Sequence, residues 1–442
     1  MSAVKVIGAG LAGCEAAWHL AESGIPVELY EMKPSKYTPA HKYSGFGELV
    51  CSNSLKAERL ESAAGLLKEE MRRLGSLTMK AADVSKVPAG GALAVNREQF
   101  SDYITEKIRS HPLITIIEGE VTDIPDGDVI IATGPLTSDS LSESINRLVG
   151  AEYLYFHDAA APIVTADSLD RTLVFGASRY GRGGEDYLNC PMDKDEYLNF
   201  YNELINAETA PLHDFDDVGN YKVYEGCMPV EALAKRGVDC LRFGPLKPVG
   251  LTDPRTGRRP YAVVQLRLEN NDGTLYNLVG FQTNLKFGEQ KRVFSMIPGL
   301  ANADFMRYGV MHRNTYLNSP ALLDRHFCLK KEPRIYFAGQ ITGVEGYIES
   351  AASGIYAAMS LARRRKGQPE ITLSRETMLG ALANYVEEGS PSGFQPMGSN
   401  MGVLPELPEK IRGKQEKYAA LARRSLECLE MVIGGSYYEN NR

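Results

Sequence analysis

Paired cysteines are missing from this sequence. Its seven cysteines stand at 14, 51, 190, 227, 240, 328 and 428, with no Cys-x-x-Cys and no cysteine pair beside a histidine pair. That pattern speaks against a disulfide framework and a structural zinc site, so reduced thiols and no metal are expected. The seven histidines are scattered. Long hydrophobic runs are missing too, since nothing approaches the roughly 18 uncharged apolar residues of a transmembrane helix. Met1 runs straight into an apolar strand pattern, without a basic n-region or cleavage site, so no signal peptide is expected and the cytoplasm is the default location. The single tryptophan, Trp18, falls on a helix pattern, where packing is its expected role. Neither an internal repeat nor a low-complexity tract is present.

What is there is ordinary in composition, with 43% hydrophobic and 24% charged residues. At 442 residues the chain exceeds what one hydrophobic core usually serves, so two domains are expected. A net charge of −7 is the wrong sign for a nucleic-acid partner, but the distribution matters more than the sum. Lys247 to Arg292 holds eight Lys/Arg against four Asp/Glu. Arg363-Arg364-Arg365-Lys366 follows an apolar helix pattern, and a third basic run extends from Lys410 to Arg424. Singly each reads as a solvated face; three together point to a polyanion.

Val4-Lys5-Val6-Ile7 reads as a buried strand, followed at once by Gly8-Ala9-Gly10-Leu11-Ala12-Gly13 and a helix pattern up to Gly24. Val27 to Glu31 is a second strand. Residues 52 to 75 read as helical, Arg97 to Ile108 as a helix, and Leu113 to Glu120 and Asp128 to Pro135 as strands. From about 161 to 314 the pattern turns to short strands rich in Gly and Pro. Within it Val264, Leu266 and Leu268 alternate with Gln265, Arg267 and Glu269 before a turn at Asn271-Asp272-Gly273, a hairpin signal. At Arg334 to Gly339 the buried strand returns and leads into a long Ala-rich helix.

The Gly-x-Gly-x-x-Gly here has a strand before it, a helix after it, and Glu31 closing the next strand 18 residues beyond Gly13. Gly8 permits the tight turn, Gly10 the approach of a pyrophosphate, and Gly13 close helix–strand packing. The helix N-terminus supplies N–H groups and positive dipole to phosphates, and Glu31 can accept from ribose hydroxyls. The fingerprint alone fits FAD or NAD. Ala132-Thr133-Gly134-Pro135 resembles the turn closing the first half of FAD domains, and Phe337 to Gly343 their second flavin contact, with Gln340 where Asp is usual. A helix from about Gly346 would aim its N-terminus at the flavin. Gly176 to Gly184 is glycine-rich but fits no second fingerprint.

These segments lead to a specific likeness. Gly8 to Ala17, Leu29 to Met32, Leu49-Val50-Cys51-Ser52-Asn53-Ser54-Leu55, Glu225-Gly226-Cys227-Met228-Pro229-Val230-Glu231, Phe281 to Leu285, Ala338 to Tyr347 and Phe394 to Met397 resemble the folate-dependent tRNA uracil-5-methyltransferases called TrmFO, relatives of the MnmG flavoproteins. Gly398-Ser399-Asn400-Met401 departs from the usual Asn-Ala-Asn-Phe.

The resemblance implies a glutathione-reductase-like α/β fold. The expected layout is the first part of an FAD-binding domain at 1–160, a mixed α/β insertion for substrate at 161–314, and the second part with C-terminal helices at 315–442. It implies FAD held by Gly8, Ala9, Gly10, Leu11, Ala12, Gly13, Glu31, Met32, Lys33, Thr133, Gly134, Gly339, Gln340, Gly346 and Tyr347. The co-substrates would be 5,10-methylenetetrahydrofolate and NAD(P)H, and the product 5-methyluridine at position 54 of the tRNA T-loop, with no obligatory protein partner. Uracil C5 becomes nucleophilic only after a thiolate adds at C6, and cysteine suits that step. The resemblance assigns it to Cys227 and gives Cys51 a role near the flavin as base or guard, without settling the division. Cys14, Cys190, Cys240, Cys328 and Cys428 read as small buried hydrophobes. Arg255, Arg258, Arg259, Lys286, Lys291 and Arg292 are the expected RNA contacts. A ribosomal RNA uridine, or a small molecule oxidised by flavin, are the alternative substrates.

Overall fold

A computed structural model describes residues 2–150, 154–210, 228–268, 273, 275–389, 394, 396–409 and 411–439. Five short strands form a wholly parallel sheet in the order Ile335–Phe337, Val129–Ile131, Val4–Ile7, Val27–Glu31, Ile114–Glu118. Their Val/Ile-rich character follows from burial on both faces, which a parallel sheet requires. Val4, Val6, Val129, Ile130, Ile131, Ile335 and Phe337 have no exposed surface. The helix Leu11–Glu22 lies between this sheet and the helix Tyr347–Arg365. Small residues let the two helices touch: a Cβ on Gly354 would stand 2.2 Å from the Ala12 carbonyl oxygen. Trp18 packs at the rim, edge-on to His111 and beneath the Lys80 ammonium.

A second, antiparallel sheet of six strands runs Phe175–Gly176, Tyr187–Met192, Ala262–Leu268, Leu275–Leu278, Ile163–Thr165, Phe305–Arg307. It has its own core, in which Phe200 of the helix Lys194–Asn206 packs tilted against Phe281, itself edge-on to Phe294. The expected hairpin is present as Ala262–Leu268 paired with Leu275–Leu278; Asn271 and Asp272 of its turn lie outside the described residues. Between the two sheets the chain crosses twice, along Leu154–Ala160 and back along Val310–Tyr316, which pair antiparallel as a ribbon.

The expectation of helix over 52–75 is corrected. Ser54–Ala57 is a strand paired with Ala92–Val95, itself paired with Lys86–Val87, and the helix starts only at Ala63. Lys56 sits at φ 64, which no right-handed helix tolerates, while Leu55 is buried between the strands. Ser62 caps the helix Ala63–Arg73 by accepting the Gly65 N–H. From that helix the buried Glu70 accepts N–H groups of Met378 at 2.6 Å and Leu379 at 2.9 Å, and the Ser425 hydroxyl. One carboxylate thereby fastens the helices Met378–Glu388 and Lys414–Glu439. Among the described residues no helix is long and apolar enough to cross a membrane, and no group of His, Cys, Asp and Glu could hold a metal ion.

Candidate active site

The glycine fingerprint forms the turn between Val4–Ile7 and Leu11–Glu22. Gly8 has φ 98, and a Cβ there would stand 2.8 Å from the Ala132 carbonyl oxygen. A Cβ on Gly13 would lie 1.8 Å from the Gly8 oxygen, so the helix rests on the turn itself. Gly10 differs: a Cβ would meet nothing within 4 Å, and the helix beginning there carries no side-chain cap. The first-turn N–H groups thus open onto a cavity. Glu31 orients the turn, accepting from Ala9 N–H at 2.8 Å and Lys33 N–H at 2.9 Å. The Lys33 ammonium ties down the next loop through the carbonyls of Tyr43 and Gly45.

This first cavity holds about 1370 Å³ including its open mouth. Gly8 to Ala12, Glu31, Met32, Lys33, Thr133, Gly134, Gly339, Gln340 and Tyr347 all line it, as does Cys51. Gly13 stands behind Gly8, and Gly346 faces a second cavity of about 1030 Å³. Cys51, Gln340 and Tyr347 line both, so the two spaces meet at the thiol.

Cys51 is held by Tyr347, the first residue of the helix Tyr347–Arg365. The phenol oxygen accepts the Cys51 N–H at 2.7 Å and the Ser52 N–H at 3.3 Å, and lies 3.0 Å from Cys51 Sγ. Desolvation, and then the neighbouring Cys51, push the phenol well above its ordinary pKa. A phenol kept protonated can donate to the sulfur across that 3.0 Å contact.

The Leu49–Asn53 segment is gripped from two sides. Arg97 donates to the carbonyls of Leu49 and Val50. From the antiparallel sheet, Arg267 Nε donates to Asn53 Oδ1 at 3.0 Å and its Nη2 to Ser52 Oγ at 2.5 Å. Asn53 answers by donating to the Leu268 carbonyl at 2.8 Å.

The family model of glucose inhibited division protein A (GIDA) matches residues 3–369. A methylenetetrahydrofolate--tRNA-(uracil-5-)-methyltransferase TrmFO of Desulforamulus reducens is 61% identical over 97% of each chain. A protein of the same name from Acetivibrio thermocellus is 58% identical, covering 97% of this chain and 98% of its own. This chain belongs to the TrmFO family. A solved structure of GidA from Aquifex aeolicus matches with a TM-score of 0.67 at 17% identity, covering 97% of this chain and 76% of that one. At that identity the match speaks for the fold alone, and it is the expected FAD-binding class.

Of the two cysteines singled out by the TrmFO motifs, Cys51 is placed as above and Cys227 lies outside the described residues. The described end of its motif joins Phe281 to Leu285: Val230 N–H donates to the Gln282 carbonyl at 2.7 Å, and Glu231 accepts from Thr283 and Asn284. Gln282 lines the second cavity. Burial pushes the Cys14 thiol well above its ordinary value and Cys190 up to about 12, in keeping with their expected core role. The six basic residues expected to meet RNA divide. Arg255 is bonded to Asp253, Lys286 to Glu208, and Arg292 to Glu203 and Glu289. Arg258, Arg259 and Lys291 are exposed, with no ion pair among the described residues.

Sequence reasoning missed several residues at this TrmFO site. Arg97 read only as a helix start and Arg267 as the polar phase of a hairpin. Lys56 was absorbed into a helix; instead its ammonium enters the second cavity and pairs at 2.7 Å with Glu349. Although burial pushes the Glu349 carboxyl up, Lys56 and Ser399 hold it below its ordinary range. Ser399 supplies both its N–H and its hydroxyl to that carboxylate.

Proposed function

We propose that this chain uses FAD, methylenetetrahydrofolate and NAD(P)H to make 5-methyluridine at position 54 of the tRNA T-loop, in the cytoplasm and without an obligatory protein partner. The observation that carries the reading is the meeting of two cavities at one thiol, the first shaped for a dinucleotide and the second open to a substrate base.

The first cavity fits FAD on three counts. Gly10 leaves room where a side chain would block a pyrophosphate. Two helix N-termini, at Leu11 and Tyr347, begin at glycines without side-chain caps. Ser350 Oγ lines the cavity, buried and without a hydrogen-bond partner among the described residues. When bound, the flavin would carry the one-carbon unit from folate and supply the hydride that completes the methyl group.

The chain's own groups have the remaining tasks. One thiolate adds to uracil C6, its electron pair forming the S–C6 bond while the C5–C6 π pair shifts to C5 and O4, so that C5 can attack the one-carbon unit. A base then takes the C5 proton, and the thiolate departs from C6 to restore the double bond. Family resemblance gives the addition to Cys227. To Cys51, held at the junction by Tyr347, the reading gives the proton or the shielding of the flavin. Arg97 and Arg267 keep its backbone fixed, which orientation-dependent catalysis requires.

Incubation with unmodified tRNA and ribosomal RNA, labelled methylenetetrahydrofolate and NAD(P)H, followed by nucleoside mapping, tests the reading. Label is expected in 5-methyluridine at tRNA position 54. Label confined to ribosomal RNA, or no transfer to either RNA, overturns it.

A further inference from the structure

The glycine-rich stretch Gly176–Gly184 matched no nucleotide fingerprint, and the chemistry above leaves it unused. It forms the loop joining the strands Phe175–Gly176 and Tyr187–Met192. At its far end it docks on the small three-stranded sheet, where Asp186 accepts the Gly90 N–H. At its crest stands Tyr180, 59% exposed and in the left-handed region at φ 59. Glycines follow at 181, 183 and 184, so the loop had residues suited to that conformation and puts a tyrosine there instead.

The ring is supported from behind. Tyr180 N–H donates to the Gly250 carbonyl at 2.9 Å, and a Cβ on Gly250 would stand 2.9 Å from ring atom Cε1. The Arg182 guanidinium lies 5.8 Å from the ring centroid. Asp186 is turned onto Gly90, and Glu185 packs over Gly176. Arg258 and Arg259 project from the loop that continues beyond Gly250.

A line of polar residues leads from beside this ring to the Cys51 segment. Arg179, next to Tyr180, donates through Nε to Gln265 Oε1 at 2.7 Å. Gln265 and Arg267 are two residues apart on the strand Ala262–Leu268, so they share a face about 7 Å apart. Arg267 holds Ser52, beside Cys51.

We propose that Tyr180 is a platform on which a base of the RNA flanking the target uridine stacks, with Arg182, Arg258 and Arg259 meeting the adjacent phosphates. A base leaving its stack to enter the second cavity exposes its neighbours, and a backed aromatic ring beside a guanidinium group is the surface that receives an unstacked base. The inference rests on the RNA-methylating reading above and names how that substrate is held.

Binding of unmodified tRNA to the FAD-loaded full chain, measured over a series of salt concentrations, tests it. Tyr180→Ala should weaken binding roughly 5- to 100-fold with an unchanged salt slope. Tyr180→Asn, which accepts a left-handed backbone, should weaken it equally. Tyr180→Phe should stay within about twofold of the wild type, because stacking needs only the ring. Arg182→Ala should lower the salt slope by about one. FAD content should be unaltered throughout. Wild-type affinity in Tyr180→Ala and Tyr180→Asn, or a Tyr180→Phe protein as weak as either, overturns the platform alone. A wild-type chain that does not bind tRNA overturns the underlying reading as well.

Discussion

Arg267→Met removes the clamp between the antiparallel sheet and the Cys51 segment while keeping an unbranched chain in its place. Arg267 is 8% exposed, and its guanidinium donates to Asn53 Oδ1 and Ser52 Oγ. Hydrogen bonds from a charged donor contribute about 1.5–3 kcal/mol, and a buried acceptor that loses its donor is worth about 1–3 kcal/mol. Against this stands relief of the desolvation of a buried cation. The balance is a loss of about 2–3 kcal/mol in holding residues 51–53. Asn53 keeps its bonds to the Val95 and Leu268 carbonyls, so the segment loosens rather than unfolds. If that energy holds Cys51 in its productive position, turnover falls roughly 30- to 150-fold. Methyl transfer at saturating substrates should show that drop, with FAD content intact and the KM for tRNA less affected. Arg267→Lys keeps the charge without the fork, and should fall between. A methionine variant with wild-type turnover and an unshifted thermal midpoint refutes the reasoning, because the clamp would then carry no energy.

The cysteines separate with RNA containing 5-fluorouridine, where fluorine stands in place of the C5 proton, cannot be removed by a base, and so traps the C6 adduct. Cys227→Ala should keep FAD yet form no adduct, whereas Cys51→Ala should form it without methylating; the opposite pattern reverses the assignment. Gly10→Ala should fold but lose FAD, since its Cβ meets only open space, while Gly13→Ala should not fold, its Cβ being 1.8 Å from the Gly8 oxygen; flavin absorbance in purified Gly10→Ala, or a folded Gly13→Ala by circular dichroism, contradicts this. Burial pushes Glu70 from its ordinary 4.5 up to about 7, so the folded chain holds this proton more tightly than the unfolded one. Its contribution is full below pH 4.5 and is lost as pH rises through about 7, some 3 kcal/mol in all. Relative to Glu70→Gln, the wild type should lose stability over that window in denaturant titrations; parallel profiles exclude it.

The nucleotide cradle was legible because its logic is local. Gly8, Gly10, Gly13 and Glu31 act through turn geometry and helix ends that a few consecutive residues set. Arg267 was not legible, because alternation in a strand reports which residues share a face, not what covers that face. Here the polar phase is buried under a segment more than 200 residues away in sequence. Ser54–Ala57 was misread for a related reason. A four-residue strand exists through its partner, and Lys-Ala-Glu-Arg-Leu-Glu composition favours a helix until Ala92–Val95 pairs with it. The RNA-contact residues were chosen by charge density, which cannot show that Lys286 and Arg292 already have carboxylate partners.

The ribbon that carries the chain between the two sheets has a consequence for biosynthesis. The parallel sheet is built from the beginning and the end of the chain, and Val129–Ile131 receives its outer neighbour, Ile335–Phe337, only after some 200 further residues are made. At ordinary elongation rates that interval lasts roughly 10–40 s. The antiparallel lobe is contiguous in sequence and can finish folding while it lasts. The ribbon strand Val310–Tyr316 then zips onto Leu154–Ala160 and delivers the last strand to its edge. Only when the helix Tyr347–Arg365 follows does the first cavity gain its second wall. The flavin therefore cannot be seated before that helix is made. A nascent chain stopped short of that helix has a finished antiparallel lobe and nowhere to hold its cofactor.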